Sequence, residues 1–218
     1  MKKIFIITGE VSGDILASKI INYLDLKTIE VKGIVGSNLK EIGVEGPFEN
    51  KEITFFGITD IIKNIFYIKK RIDKTVKYIE SFKPDIVFSV DSPDFVFQVI
   101  KKIKQRKKMK TKFFHFVAPS IWAWREGRAK KIKNLIDKIY LLFKFEIKYF
   151  DKYGIKNQYV GHPFFENFIG SKLNFNTGGK LISFCPGSRK KEIHEFMPIF
   201  IDVIKNYKHT FNYHFATT

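Results

Sequence analysis

Residues 113–133 read FFHFVAPSIWAWREGRAKKIK. The first five, 113–117, are an apolar run of strand length, continuous as in a parallel sheet covered on both faces. Pro119-Ser120 makes the turn. Trp122 and Trp124, both tryptophans of the chain, come next. Arg125, Arg128, Lys130, Lys131 and Lys133 then recur at helical spacing, so several of these charges share one helix face. Alone, the stretch reads as a buried strand and a solvated basic helix with the tryptophans in the core. Its order of strand, polar loop and helix returns three times, at GEVSGD (9–14), VDSPDF (90–95) and PGSRKKE (186–192). Those junctions are where an α/β protein builds its site.

Working outward, apolar strand patterns are predicted at 4–8, 31–35, 86–90, 113–117, 139–143, 159–160, 181–185 and 211–215. Helical patterns fill the intervals, with short ones at 40–46 and 145–153 and longer ones from 96 to 103 and from 190 to 207. The alternation predicts a parallel α/β fold. Ser12 is expected to cap the helix after the first strand, whose apolar stripe includes Ile15, Leu16, Ile20 and Leu24. Ile193, Phe196, Met197, Phe200, Val203 and Ile204 are expected as the buried stripe of the last helix. The stretch 167–179 is rich in Gly, Ser, Asn and Thr and reads as a linker. It separates an expected first domain, 1–166, from a second, 180–218. The stretch 55–72 combines Ile58, Ile61, Ile62, Ile65, Ile68 and Ile72 at helical spacing with flanking aromatics and lysines. That combination predicts a helix lying in a membrane interface; the competing reading is a buried α/β helix.

Composition narrows the classes. A hydrophobic share of 44% over 218 residues is that of a core-forming protein. No apolar run reaches about 18 residues, so no membrane-spanning helix is read. MKKIFIITGE reads as a first strand rather than a signal peptide. The single cysteine, Cys185, excludes a disulfide framework. A formal charge of +17 points to anionic partners: nucleic acid, a membrane surface or phosphorylated substrates. A nucleic-acid binder lacks its usual signatures here, since no RNP, helix-turn-helix or zinc pattern occurs.

The loop residues suit transfer of a group from a nucleotide donor. Asp91 is a candidate base, and Arg189, beside a helix N-terminus, a candidate phosphate ligand. No Asp-x-Asp pair or His/Cys cluster suggests a metal, and no cofactor is expected. His162, lone beside Pro163, reads as structural.

GEVSGD, VDSPDF, VAPSIWAWREGRAKKI, GHP and PGSRKKEI, in this order and spacing, resemble the lipid-A-disaccharide synthase family. The likeness runs from residue 4 to about 215. It implies the GT-B architecture: a Rossmann-like parallel-sheet N-terminal domain on the acceptor side and a second Rossmann-like domain for the UDP-sugar. It implies inverting, metal-independent transfer of 2,3-diacylglucosamine from UDP to 2,3-diacylglucosamine 1-phosphate, on the cytoplasmic face of the inner membrane. On the matching positions Asp91 is the catalytic base, and Arg189 lies near the donor diphosphate. Glu10 and Ser12 belong to the first loop at the cleft. Ser120, Trp124, Arg125 and Arg128 belong to the acceptor side, the arginines toward its phosphate. An anionic membrane surface is an expected partner and nucleic acid is not; a homodimer stays open. The resemblance also implies that the chain stops inside an incomplete second domain. From this, 1–165 is expected to fold as a unit with 180–218 loosely held. The alternative to the enzyme is an inactive fragment that binds acyl-sugar phosphate or membrane.

Overall fold

The computed structural model describes residues 1–54, 64–106, 109–121, 127–163, 180–187, 190–208 and 210–215. Two compact units divide the chain, Met1–Asn167 and Phe168–Thr218.

The first unit runs β1 (Lys2–Thr8), α1 (Val11–Ile21), β2 (Ile29–Ile34), α2 (Ser37–Glu41), a 3-10 turn at Asn50–Glu52, α3 (Ile65–Phe82) and β3 (Ile86–Val90). It continues through α4 (Pro93–Arg106), β4 (Lys112–Phe116), α5 (Gly127–Lys133), β5 (Lys138–Leu141), a 3-10 turn at Lys144–Glu146, α6 (Ile147–Asp151) and β6 (Asn157–Tyr159). All six strands pair in parallel, in the order β2-β1-β3-β4-β5-β6. The expected parallel α/β fold is therefore present. The chain leaves β1 toward β2, then crosses back to β3 and proceeds the other way. This reversal makes the gap between the carboxyl ends of β1 and β3 a topological switch point, where open sheets bind ligands.

The sheet is apolar on both faces because helices cover both. Phe5, Ile7, Val87 and Phe113 pack on one face against Val76 and Ile79 of α3 and Val96, Val99 and Ile100 of α4. Ile6, Val90 and Phe116 pack on the other against Ala17 and Ile21 of α1 and Leu39 of α2. Ile139 and Leu141 join Ala129 and Ile132 of α5 and Phe150 of α6 in a third cluster. Of the stripe expected on α1, Leu16, Ile20 and Leu24 pack partly buried against this second cluster beside the buried Ala17 and Ile21, whereas Ile15 is 42% exposed.

The interfacial reading of 55–72 needs correction where the structure describes it. Residues 55–63, with Ile58, Ile61 and Ile62, lie outside the described residues. From Ile65 onward the stretch belongs to an 18-residue helix whose Ile72, Thr75, Val76, Ile79 and Phe82 are buried. Only its first turn stays apolar and open, with Ile65 57% and Phe66 80% exposed. Periodicity gives the face of a helix, whereas burial depth along that face is set by what packs on it. Helix α4 starts at Pro93, three residues before the expected Val96. Proline suits a first helical position, where its missing N–H has no intrahelical partner to lose. Among the described residues, no helix is long and apolar enough to cross a membrane.

The second unit holds β7 (Leu181–Phe184), α7 (Lys190–Asn206) and β8 (Asn212–Phe215), with β7 and β8 parallel. Phe184 is buried, stacked on Phe200 at 4.6 Å and Tyr213 at 5.8 Å. The expected stripe of α7 is buried only in part, since Ile193 and Phe196 are 37% and 44% exposed. Two four-residue strands offer less apolar surface than a 17-residue helix presents.

Candidate active site

Asp91 directly follows β3, at the switch point. Its φ is +60° and that of Ser92 is +48°, so two non-glycine residues in succession are left-handed. Such a turn costs free energy and is found where surrounding structure over-determines it. Three contacts do so here. The Asp91 N–H donates to the Phe116 carbonyl at 3.0 Å, tying the turn to β4. The Ser92 N–H donates to Asp91 Oδ1 at 2.7 Å. Ser92 also projects over Gly9 at the end of β1, where a Cβ would fall 1.6 Å from the Ser92 Oγ. Only glycine fits at position 9 while the Asp91 turn stands.

Around this turn lies a cleft of about 490 Å³. Glu10, Asp91, Ser92, Asp94 and Gln98 give it polar lining; Ile53, Ile68, Ile72 and Phe95 give it an apolar wall. Thr54 secures the wall's edge, donating from Oγ1 to the Gly9 carbonyl at 2.5 Å. Arg71 of α3 pairs with Glu52 and lies 5.0 Å over the Phe48 ring, holding α3 against this segment.

The structure thus brings Glu10 and Asp91 of the expected site together. Ser12 does not cap α1. The helix starts at Val11 with Glu10 as N-cap residue, and no side chain caps it. The extended backbone at Glu10 (φ −138°, ψ 167°) places Ser12 inside the first turn, exposed to solvent. Ser120 is exposed between Pro119 and Ile121, and neither serine is among the described residues lining the cleft. Trp124, Arg125 and Arg189 lie outside the described residues, and Arg128 is described only as part of α5. His162 has its ring 6.1 Å from that of Phe143. Among the described residues, no group of three or more His, Cys, Asp or Glu could hold a metal ion.

Some site residues went unnoticed in the sequence. Asp94 and Gln98 stand one turn apart on α4, a spacing legible once the helix start is known. Thr54 carries no local signal. Asp14, the last residue of GEVSGD, is buried and accepts from the Gly36 N–H at 2.7 Å, the Asn38 N–H at 2.9 Å and the Asn38 side chain at 3.1 Å. It braces the loop after β2 rather than facing the cleft.

His115 is fully buried, its Nδ1 2.8 Å from Ser89 Oγ and its ring 5.2 Å from that of Phe97. Burial holds its pKa down at about 3, so the ring is neutral in the fold. The unfolded chain binds this proton first, near the usual value of about 6.5. Stability is therefore complete above that pH and declines as pH falls from about 6.5 toward about 3. Urea titrations across that window should show the decline, and His115→Leu should flatten it; an unchanged slope would contradict a neutral buried ring.

A model of the family described as lipid-A-disaccharide synthetase matches residues 4–217. The chain belongs to that family. A relative from Rickettsia bellii, the lipid-A-disaccharide synthase of strain OSU 85-389, is 41% identical over 214 residues, covering 94% of this chain and 56% of its own. The chain spans about half the length of the curated relatives it matches, 52% to 58%. Among solved structures, a UDP-GlcNAc 2-epimerase from Neisseria meningitidis aligns with TM-score 0.61 at 13% identity, over 99% of this chain and 66% of its own. A lipopolysaccharide outer core galactosyltransferase aligns with TM-score 0.50 at 16% identity, over 98% and 60%. At such identities the likeness is one of fold, and it fits the Rossmann-like N-terminal domain of a GT-B protein.

Proposed function

We propose that this member of the lipid-A-disaccharide synthetase family acts in inverting glycosyl transfer. The reaction moves 2,3-diacylglucosamine from UDP to the 6-hydroxyl of 2,3-diacylglucosamine 1-phosphate. The observation that carries the reading is Asp91, held in a left-handed turn at the switch point and lining the cleft. Asp91 takes the proton of the acceptor hydroxyl as its oxygen attacks the anomeric carbon. The bond from that carbon to the diphosphate breaks, and UDP leaves with the electron pair. A single base on the face opposite the leaving group suffices for inversion.

In this reading residues 1–166 form the acceptor side, and 180–218, after a linker at 167–179, belong to the donor side. Glu10 contacts the acceptor beside Asp91. Ser12, Ser120, Trp124, Arg125 and Arg128 belong to the loops around it, and Arg189 to the donor diphosphate. The test is disaccharide 1-phosphate formation with matching UDP release when purified protein meets both sugars; hydrolysis of the donor without a coupled product would overturn it. A second reading is binding of acyl-sugar phosphate without transfer, which the apolar wall beside the polar lining of the cleft would also serve. It predicts acceptor binding with no UDP released.

The reading extends to the cytoplasmic surface of the inner membrane. Support comes from Ile65 and Phe66, exposed on the first turn of α3 beside Lys69 and Lys70, within a chain of net charge +17. Apolar insertion and lysine attraction act together on anionic lipid. Phe66→Ser should lower flotation with anionic vesicles severalfold while the melt stays unchanged. Added salt should weaken wild-type binding without abolishing it, since only the charge contribution is screened. Equal flotation of the wild type and the variant would remove Phe66 from the contact.

A further inference from the structure

We propose that the apolar wall beside Asp91 holds one acyl chain of the lipid-sugar acceptor, and that Ile68 on α3 is a main determinant of the chain length accepted. The inference rests on the reading above, that this cleft takes an acylated glucosamine 1-phosphate.

The cleft has two chemically different linings. Glu10, Asp91, Asp94 and Gln98 offer hydrogen-bond groups to a sugar, whereas Ile53, Ile68, Ile72 and Phe95 offer none. The apolar residues are contiguous: Ile53, Ile72 and Phe95 belong to one core cluster and Ile68 packs against it. Thr54, the hydroxyl next to this wall, already commits its one proton to the Gly9 carbonyl, with the Asn50 carbonyl also in reach at 3.0 Å. A ligand that is polar at one end and hydrocarbon at the other matches both linings. A bare nucleotide or an unacylated sugar would leave the hydrocarbon wall wet. At about 490 Å³ the cleft lies within the range of roughly 300–1,000 Å³ typical of small-molecule sites.

Helix α3 supplies a route into it. Ile65, Ile68 and Ile72 follow one another at i, i+3 and i+7 on a single stripe. Ile65 is 57% exposed, Ile68 half-buried and Ile72 7% exposed. Exposure thus falls steadily along the stripe toward the core. A hydrocarbon chain laid on it would pass from the surface to the wall with no charged group of the stripe to desolvate. Ile68, midway, sets how far the chain reaches.

The experiment measures binding of 2,3-diacylglucosamine 1-phosphate homologues with butanoyl, octanoyl or dodecanoyl chains to the 218-residue protein, each below its micelle concentration. Wild-type affinity should rise with chain length, by up to about fourfold for each methylene buried, and level off when the wall is filled. Ile68→Trp fills the wall and should weaken the dodecanoyl compound at least about tenfold while leaving the butanoyl compound unchanged. Ile68→Ala opens the wall and should move the levelling-off to longer chains. It also serves as the readout should the tryptophan variant fail to melt cooperatively. Unchanged length dependence in a folded variant overturns the acyl site and leaves the function standing. Failure of the wild type to bind any homologue overturns both.

Discussion

Asp91→Asn is expected to lower kcat for disaccharide formation by roughly 10²–10⁴, the usual worth of a positioned general base. KM for the acceptor should stay within a few fold, and the thermal midpoint should not fall. The geometry makes this substitution a clean one. Asparagine keeps the oxygen that accepts the Ser92 N–H at 2.7 Å. It also tolerates the left-handed region at least as well as aspartate, so the +60° backbone at this position is not further strained. What disappears is the capacity to take a proton. Retention of more than about a tenth of the wild-type rate would remove Asp91 from the base role. A parallel loss of rate and thermal midpoint would mean that the residue serves the turn.

The second large effect concerns stability. Asp14→Ala should cost about 3 kcal/mol of unfolding free energy and lower the melting midpoint of the first unit by roughly 6–12 °C. The carboxylate is 1% exposed and satisfies two backbone N–H groups and one side-chain amide. Removing it leaves the Gly36 and Asn38 N–H groups without an acceptor in a closed space. A Cβ on residue 36 would approach Asp14 Oδ2 to 2.8 Å, so the loop is built around this carboxylate. Asp14→Asn, the same size, should recover little, because its NH₂ would face a donor. Full recovery by Asp14→Asn, or a loss below about 1 kcal/mol for Asp14→Ala, would contradict the bracing role.

The strands and their parallel pairing were legible because each is a short apolar run ended by a polar loop, as in IFIIT before GEVSGD. Asp91 and Glu10 were legible for the same reason, since residues just past a strand end lie at the ligand-binding edge of such a sheet. Depth was harder to read. Ile65, Phe66 and Ile72 look alike in a periodic pattern, yet the first two are exposed and the third is buried by α4 and the sheet. Local rules misjudged Ser12, because the extended backbone at Glu10 moved the helix start two residues upstream. Asp14 stands four residues past Glu10, in the first turn of α1, and only its partners, 22 and 24 residues away, separate a brace from a site residue. Ile53 and Thr54 join the cleft through the folding-back of α3, a long-range event without local signature.

The place of β1 in the sheet also sets a timetable for biosynthesis. Of the described strands it is synthesised first, yet it pairs along one edge with β2 and along the other with β3, which ends at Val90. At about 5–20 residues per second, roughly 4–16 s separate the emergence of Thr8 from that of its partner Val90. Throughout that interval KIFIIT, with Phe5, Ile6 and Ile7 destined for full burial, presents an open edge and two greasy faces to solvent. A nascent chain stalled after β1 has cleared the exit tunnel but before β3 has should therefore be a strong client of ribosome-associated chaperones. One stalled well past 90, with β3 clear of the exit tunnel, should be a weak one.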